Sequence, residues 1–403
     1  MQGSKTWVRG GKKFQGSSVM AAAQQSLSLF FFFSLCLSDS ILQIQSLEVG
    51  VNYGQIANNL PSPTQVAVLL ESVSITRVKL YDADPNVLQA FTNSNVEFII
   101  GFGNEYLLSM TDAMKAQAWI QQHVQPYIGQ TSIKCITVGN EVLTGNDTVL
   151  LSNLLPAMQS VYAALSNLGL NQKVIVTTAH SIGILANSFP PSSGTFRSDL
   201  AGYIQPILNF LSMTKSPFLI NAYPFFAYKD NPGQVSLEYV LFEQNSGMMD
   251  PNTNLHYDNM LYAQIDAVYS AIKAMGHTDI EVRVSETGWP SKGDPDETGA
   301  TLDNARAYNG NLLARIERKE GTPGKPSVPV DVFLFALFNE DLKPGPASER
   351  NYGLYYPNGT PVYNIELQGY LPQFTVYSSA KKKIMDFCII SLSSIITPWI
   401  IYT

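Results

Sequence analysis

The chain has 403 residues, 45% of them hydrophobic, and a formal net charge of −7. That length suffices for one large domain or two modest ones. The acidic balance excludes the basic footprint of a nucleic-acid partner, and the four histidines (His123, His180, His256, His277) show no metal-ligand spacing.

Taken from its start, the chain has an apolar core at 27–37 behind Lys5, Arg9, Lys12 and Lys13. It is too short to span a bilayer and suits a signal peptide. We expect a signal region over 1–46, with Met20 as an alternative start. Between the ends lie eight short β-rich runs, at 48–52, 76–80, 97–101, 133–138, 173–178, 218–221, 281–285 and 331–336. Most are apolar throughout, as parallel strands covered by helices are. The pieces between them carry helix patterning: Ala305, Tyr308, Leu312 and Ile316 share one face, with Arg306 and Glu317 turned outward. Ser62-Pro63-Thr64 reads as a helix entry.

Eight strands alternating with helices, with no Gly-x-Gly-x-x-Gly after the first, favour a closed α/β barrel over a doubly wound sheet. The expected fold is a single (β/α)8 TIM barrel over 47–373. The longest gap, 221–280, holds Tyr223-Pro224-Phe225-Phe226 and a polar run at 245–259, and reads as a small insertion after strand six at the rim. The Gly- and Pro-rich stretch 321–329 reads as a loop. At the far end, Ser378-Ser379-Ala380, Lys381-Lys382-Lys383 and an apolar run at 387–402 suggest a glycosylphosphatidylinositol-anchor signal over 374–403, with a spanning tail as its rival. Of the three cysteines, Cys36 and Cys388 lie in these terminal runs, so processing of both ends would leave Cys135 without a disulfide partner. Asn146-Asp147-Thr148 and Asn358-Gly359-Thr360 are N-glycosylation acceptors by sequence.

Two strands end in carboxylates. The alternating run at 280–285 leads into Glu286 and breaks at Thr287-Gly288-Trp289-Pro290; the run Ile136-Thr137-Val138-Gly139-Asn140 leads into Glu141. Alone, either acid is an ordinary strand-end carboxylate. Strands four and seven are not neighbours in a barrel, however, so their ends face each other across its mouth. Glycosidic hydrolysis needs two such opposed acids. A rival pair, Asn104-Glu105, follows strand three, but Gly101 and Gly103 place it on a loop. Tyr53, Tyr223, Phe226, Trp289 and Phe338 sit at or beside strand ends, where aromatic rings suit the apolar faces of sugars. For Phe226 and Phe338, core packing is an equal alternative. No Gly-x-Ser-x-Gly elbow supports a serine hydrolase.

The string Val284-Ser285-Glu286-Thr287-Gly288-Trp289-Pro290-Ser291 resembles the nucleophile motif of family 17 glycoside hydrolases, the plant endo-β-1,3-glucanases. Gly50-Val51-Asn52-Tyr53-Gly54, Arg77-Val78-Lys79-Leu80-Tyr81-Asp82 and Phe335-Ala336-Leu337-Phe338-Asn339-Glu340 resemble other segments of that family. Asn140-Glu141 at the end of strand four also resembles the acid/base motif of the wider group of retaining barrel glycosidases, which implies Glu286 as nucleophile, Glu141 as proton donor and base, and Asn140 as donor to the sugar 2-hydroxyl. The family 17 resemblance places Glu340 and Lys343 in the active site, with Glu349 nearby, to join Tyr53, Tyr223 and Trp289 as substrate contacts. No cofactor or metal is implied. The expected protein is a monomeric, secreted, retaining hydrolase of β-1,3-glucan, on callose or fungal wall, held at the outer face of the plasma membrane. Mixed-linkage 1,3;1,4-β-glucan hydrolysis, transglycosylation and non-catalytic glucan binding stay open. A retaining enzyme should hold its two carboxyl groups about 5–5.5 Å apart.

Overall fold

The computed structural model describes residues 47–365. The expected signal region, the tail from 366 onward, Cys36 and Cys388 lie outside the described residues. Eight parallel strands close into a barrel: β1 (Leu47–Asn52), β2 (Ile75–Lys79), β3 (Glu97–Phe102), β4 (Ser132–Asn140), β5 (Ile175–Ser181), β6 (Phe218–Asn221), β7 (Val282–Thr287) and β8 (Val332–Leu334). Each pairs with its neighbour in sequence, and β8 returns to β1 through Gly50 and Val51. A Cβ at position 50 would enter the Phe333 ring, so only glycine lets these two strands meet there.

The outer layer consists of α1 (Pro63–Ser72), α2 (Pro85–Ala90), α3 (Ala113–His123), α4 (Thr148–Asn167), α5 (Ala201–Thr214), α6 (Pro224–Asp230), α7 (Met260–Ala274) and α8 (Leu302–Glu317). Local chemistry fixes where they begin. Ser62 and Gln65 form a capping box ahead of Pro63, and the side chains of Asp112, Asp147, Asn259 and Thr301 cap α3, α4, α7 and α8. On α8 the face carrying Ala305, Tyr308, Leu312 and Ile316 is buried against the barrel.

At the amino-terminal end of the barrel, Arg77 and Arg283 converge on Asp331 at 2.6 and 3.2 Å. The Arg77 guanidinium lies 4.6 Å from the Phe333 ring centre. Ile99, Cys135 and Phe333 pack together at this end. Residual space among these groups is about 50 Å³, so this end is a plug.

The segment between β6 and α7 forms the expected insertion, with α6, a helical turn at Leu237–Val240, and an antiparallel pair of Met248–Met249 with His256–Tyr257. The stretch 321–329 departs from the expected loop: Gly321–Thr322 pairs antiparallel with Lys325–Pro329. Its turn is fixed by the buried Asp266, which accepts from the Thr322 hydroxyl at 2.5 Å and the Gly324 amide at 2.7 Å. Pro326 and Pro329 are tolerated because a two-stranded ribbon leaves edges unpaired.

Candidate active site

Both strand-end acids follow irregularities in their ladders. The register of β7 against β6 shifts between Val284 and Glu286, and that of β4 against β5 shifts between Thr137 and Asn140. Such bulges re-aim the side chain that follows. Glu286 thus lies inside β7, which runs on to Thr287, two residues past the expected strand end at 285. Glu141 follows Gly139 (φ 66°) and itself takes φ 52°.

Glu286 is only 6% exposed. Its Oε1 accepts from Lys79 Nζ at 2.7 Å and from the Tyr81 hydroxyl at 2.8 Å; its Oε2 accepts from the Tyr223 hydroxyl at 2.9 Å. Burial pushes the carboxyl up, but the charge and hydrogen bond of Lys79 and the two phenols outweigh it, so Glu286 stays below the usual carboxylate range. It is a fixed anion. Lys79 is itself buried, 4.2 Å from the Tyr81 ring centre.

Glu141 lives under the opposite influence. Its Oε1 accepts one bond, from Asn221 Nδ2 at 2.9 Å, and Asn221 Oδ1 in turn accepts from the Ser285 hydroxyl at 2.6 Å. Burial first, and the charge of Glu286 second, raise its pKa against the opposing pull of Asn221 and Lys79. One carboxyl is held ionised and the other kept ready to carry a proton, the division of labour that acid catalysis beside a nucleophile requires.

Asn140 is clamped at its backbone by the Asn104 side chain, which accepts from its N–H at 2.8 Å and donates to its carbonyl at 2.9 Å. The Asn140 side-chain oxygen is buried without a hydrogen-bond partner. The rival pair at 104–105 therefore serves as a brace, and Glu105 points to solvent. Glu340 is buried and accepts from the Ile56 amide at 2.9 Å. Lys343 Nζ lies 3.9 Å from both the Glu340 and Glu349 carboxylates and 4.1 Å from the Phe335 ring centre. Burial raises both of these acids, with Lys343 opposing.

These groups line a groove of about 810 Å³ that runs past Tyr81, Asn140, Glu141, Tyr223, Glu286 and Lys343. Phe226 stands on its wall, 37% exposed. Two expected sugar contacts are elsewhere. Trp289 is fully buried: its indole N–H donates to the Gly299 carbonyl at 2.8 Å, and its ring packs 5.2 Å from Phe225. Tyr53 is 2% exposed and packs edge-on against Phe338, which is equally buried. Both support the groove from beneath, because the backbone past each strand end turns their rings inward to the core. Lys79, Tyr81 and Asn221 were given no role from sequence. The signal for Lys79 was present in part, since it lies between the apolar Val78 and Leu80 near a strand end, and a lysine buried there needs an acid partner.

The chain matches the model of glycosyl hydrolases family 17 over residues 49–367. It is 64% identical over 359 residues to glucan endo-1,3-beta-glucosidase 14 of Arabidopsis thaliana, covering 89% of this chain and 91% of that protein. It is 43% identical to a glucan endo-1,3-beta-D-glucosidase of Olea europaea, over 86% of this chain and 76% of that one. Among solved structures, a beta-1,3-glucanase and allergen of Cryptomeria japonica pollen superposes with a TM-score of 0.76 at 37% identity, covering 79% of this chain and 99% of that one. Barrel, opposed acids and kinship agree: the chain belongs to glycosyl hydrolase family 17.

Proposed function

We propose that the protein is a retaining endo-β-1,3-glucanase of cell-wall glucan, with Glu286 as nucleophile and Glu141 as general acid and base. One observation carries this: two carboxyl groups in one groove are driven in opposite directions, Glu286 by three donors and Glu141 by burial and by Glu286 itself. A glucan-binding protein has no use for that asymmetry. The relatives named above supply the β-1,3 linkage.

In the first step Glu286 attacks the anomeric carbon while Glu141 gives its proton to the departing glycosidic oxygen, leaving a glycosyl ester. Esterification removes the Glu286 charge, and with it one cause of the raised Glu141 pKa. Glu141 then takes a proton from water, whose oxygen replaces Glu286 at the same carbon. Lys79, Tyr81 and Tyr223 orient Glu286 for attack and receive it again as a leaving group. Asn140 engages the 2-hydroxyl, Phe226 and Tyr223 face the sugar rings, and Lys343 with Glu340 contacts glucan hydroxyls. The test is an NMR time course on laminarin: the β-anomer should be released first, and initial release of the α-anomer would remove the retaining assignment and the nucleophile role of Glu286.

We further propose secretion directed by 1–46 and attachment of a monomer to the outer membrane face through a lipid anchor signalled by 374–403. Both segments are read from sequence pattern alone. Asn146 and Asn358 are exposed and so open to glycosylation. Phosphatidylinositol-specific phospholipase C should release the protein from intact cells. Release by detergent alone would favour a spanning tail.

A further inference from the structure

The loop after β8 brings Glu340, Lys343 and Glu349 to the groove, yet its regular structure is one helical turn, Ala347–Arg350. Such a loop keeps a side chain in place only if its backbone is tied down. The ties come from the loop after β7, and Glu297 is their centre. Glu297 is 6% exposed and is not among the groove's lining residues. Its Oε2 accepts from the Ser348 amide at 3.0 Å and the Asp294 amide at 2.9 Å, while its Oε1 takes the Ser348 hydroxyl. Around it, Asp294 Oδ2 accepts from the Ala347 amide at 2.8 Å. The Ser291 amide and hydroxyl both donate to the Asn351 carbonyl, at 2.9 and 3.0 Å. Within the β8 loop, Arg350 closes the bend by donating to the carbonyls of Lys343 and Gly345, each at 3.0 Å.

A buried carboxylate that touches neither an opposing cation at bonding distance nor the groove is costly unless its donors are spent on something. Here they fasten the segment that carries Lys343 and Glu349 to the segment that follows the nucleophile. We propose that Glu297 is a positioning residue, a latch that holds the β8 loop so that Lys343 and Glu349 meet the glucan in a fixed place. The inference rests on reading the groove as a glucanase site.

Three variants test it on laminarin. Glu297→Ala should raise KM roughly tenfold with kcat within about threefold, the pattern of lost binding with chemistry intact. Glu297→Gln should keep KM within about twofold of wild type, because an amide oxygen still accepts from both N–H groups and its NH2 donates to the Ser348 hydroxyl oxygen. Ser348→Ala removes one bond of three and should raise KM about threefold; it also stands in should Glu297→Ala fail to fold. Unchanged KM in both alanine variants overturns the latch. So does equal damage from Gln and Ala, since that would mean charge and not geometry matters. If the wild type left laminarin intact, the glucanase reading would fall by itself. Amide hydrogen exchange over residues 343–351, which needs no turnover, then decides the latch: faster exchange in Glu297→Ala supports it and unchanged exchange overturns it.

Discussion

The two ends of the barrel carry clusters of charge built on the same strands, and they behave differently. At the amino-terminal end Arg77 and Arg283 meet Asp331, and Arg283 is also held by Glu281 at 3.0 Å, two cations against two carboxylates. At the carboxyl-terminal end Lys79 of β2 meets Glu286 of β7 at 2.7 Å, but Glu141, Glu340 and Glu349 share the groove, and Lys343 is the second lysine among them. Carboxylates there outnumber cations. Where charges balance and the space closes to about 50 Å³, ion pairs seal a fold. Where negative charge is in excess beside a groove of about 810 Å³, burial and then the charge of Glu286 push Glu141 toward its protonated form.

Removing the anion at the centre of the upper cluster should have the largest effect. Glu286→Gly is expected to lower kcat by on the order of 10⁴-fold or more. Added azide should then yield an α-linked glycosyl azide from the vacated face; a β-linked product would place the nucleophile elsewhere.

Removing the cation comes next. Lys79→Met should cost about 10²–10³-fold in kcat, the scale for losing one preorganised electrostatic partner. The pH profile gives a sharper reading. The active form needs Glu286 ionised and Glu141 protonated, so activity falls on the acid side as Glu286 gains a proton and on the alkaline side as Glu141 loses one. Lys79 lowers both groups. Without it both limbs of kcat/KM should move to higher pH, and an unmoved acid limb would mean Lys79 does not govern Glu286. Tyr223→Phe removes one of three donors and should cost about tenfold, the scale of a hydrogen bond to a charged group.

The lower cluster supplies the contrast. Arg283→Met should leave kcat within about twofold while lowering stability by only about 1 kcal/mol, since Asp331 loses one of two cations in a partly solvated site and keeps Arg77. Thermal unfolding and turnover on the same sample would check this, and a large fall in kcat would erase the distinction between the two ends.

Much of this was legible in the sequence. Runs of β-branched and apolar residues placed all eight strands, and the opposed acids at the ends of strands four and seven followed from barrel order. What was not legible depends on where side chains point after a strand ends. Trp289 and Tyr53 looked like groove aromatics from position alone, but the backbone beyond β7 and β1 carries both into the core. Asn221 reaches Glu141 across two strands, 80 positions away in the chain, and no local pattern announces such a contact. The paired segment at 321–329 was hidden because its partner Asp266 lies on a helix far upstream.

Glu141 occupies the left-handed region of backbone space with φ 52°, a conformation that glutamate adopts at a cost of about 1 kcal/mol or more. The residue therefore works against the fold that carries it. Glu141→Asn, whose side chain tolerates this region, should leave the enzyme inactive yet raise Tm by roughly 2 °C; a lower Tm would show that the bond from Asn221 is worth more than the strain. Selection for turnover and selection for folding pull in opposite directions at this position. A lineage that no longer needed to cut glucan would gain by losing its acid, and the groove would outlast the chemistry.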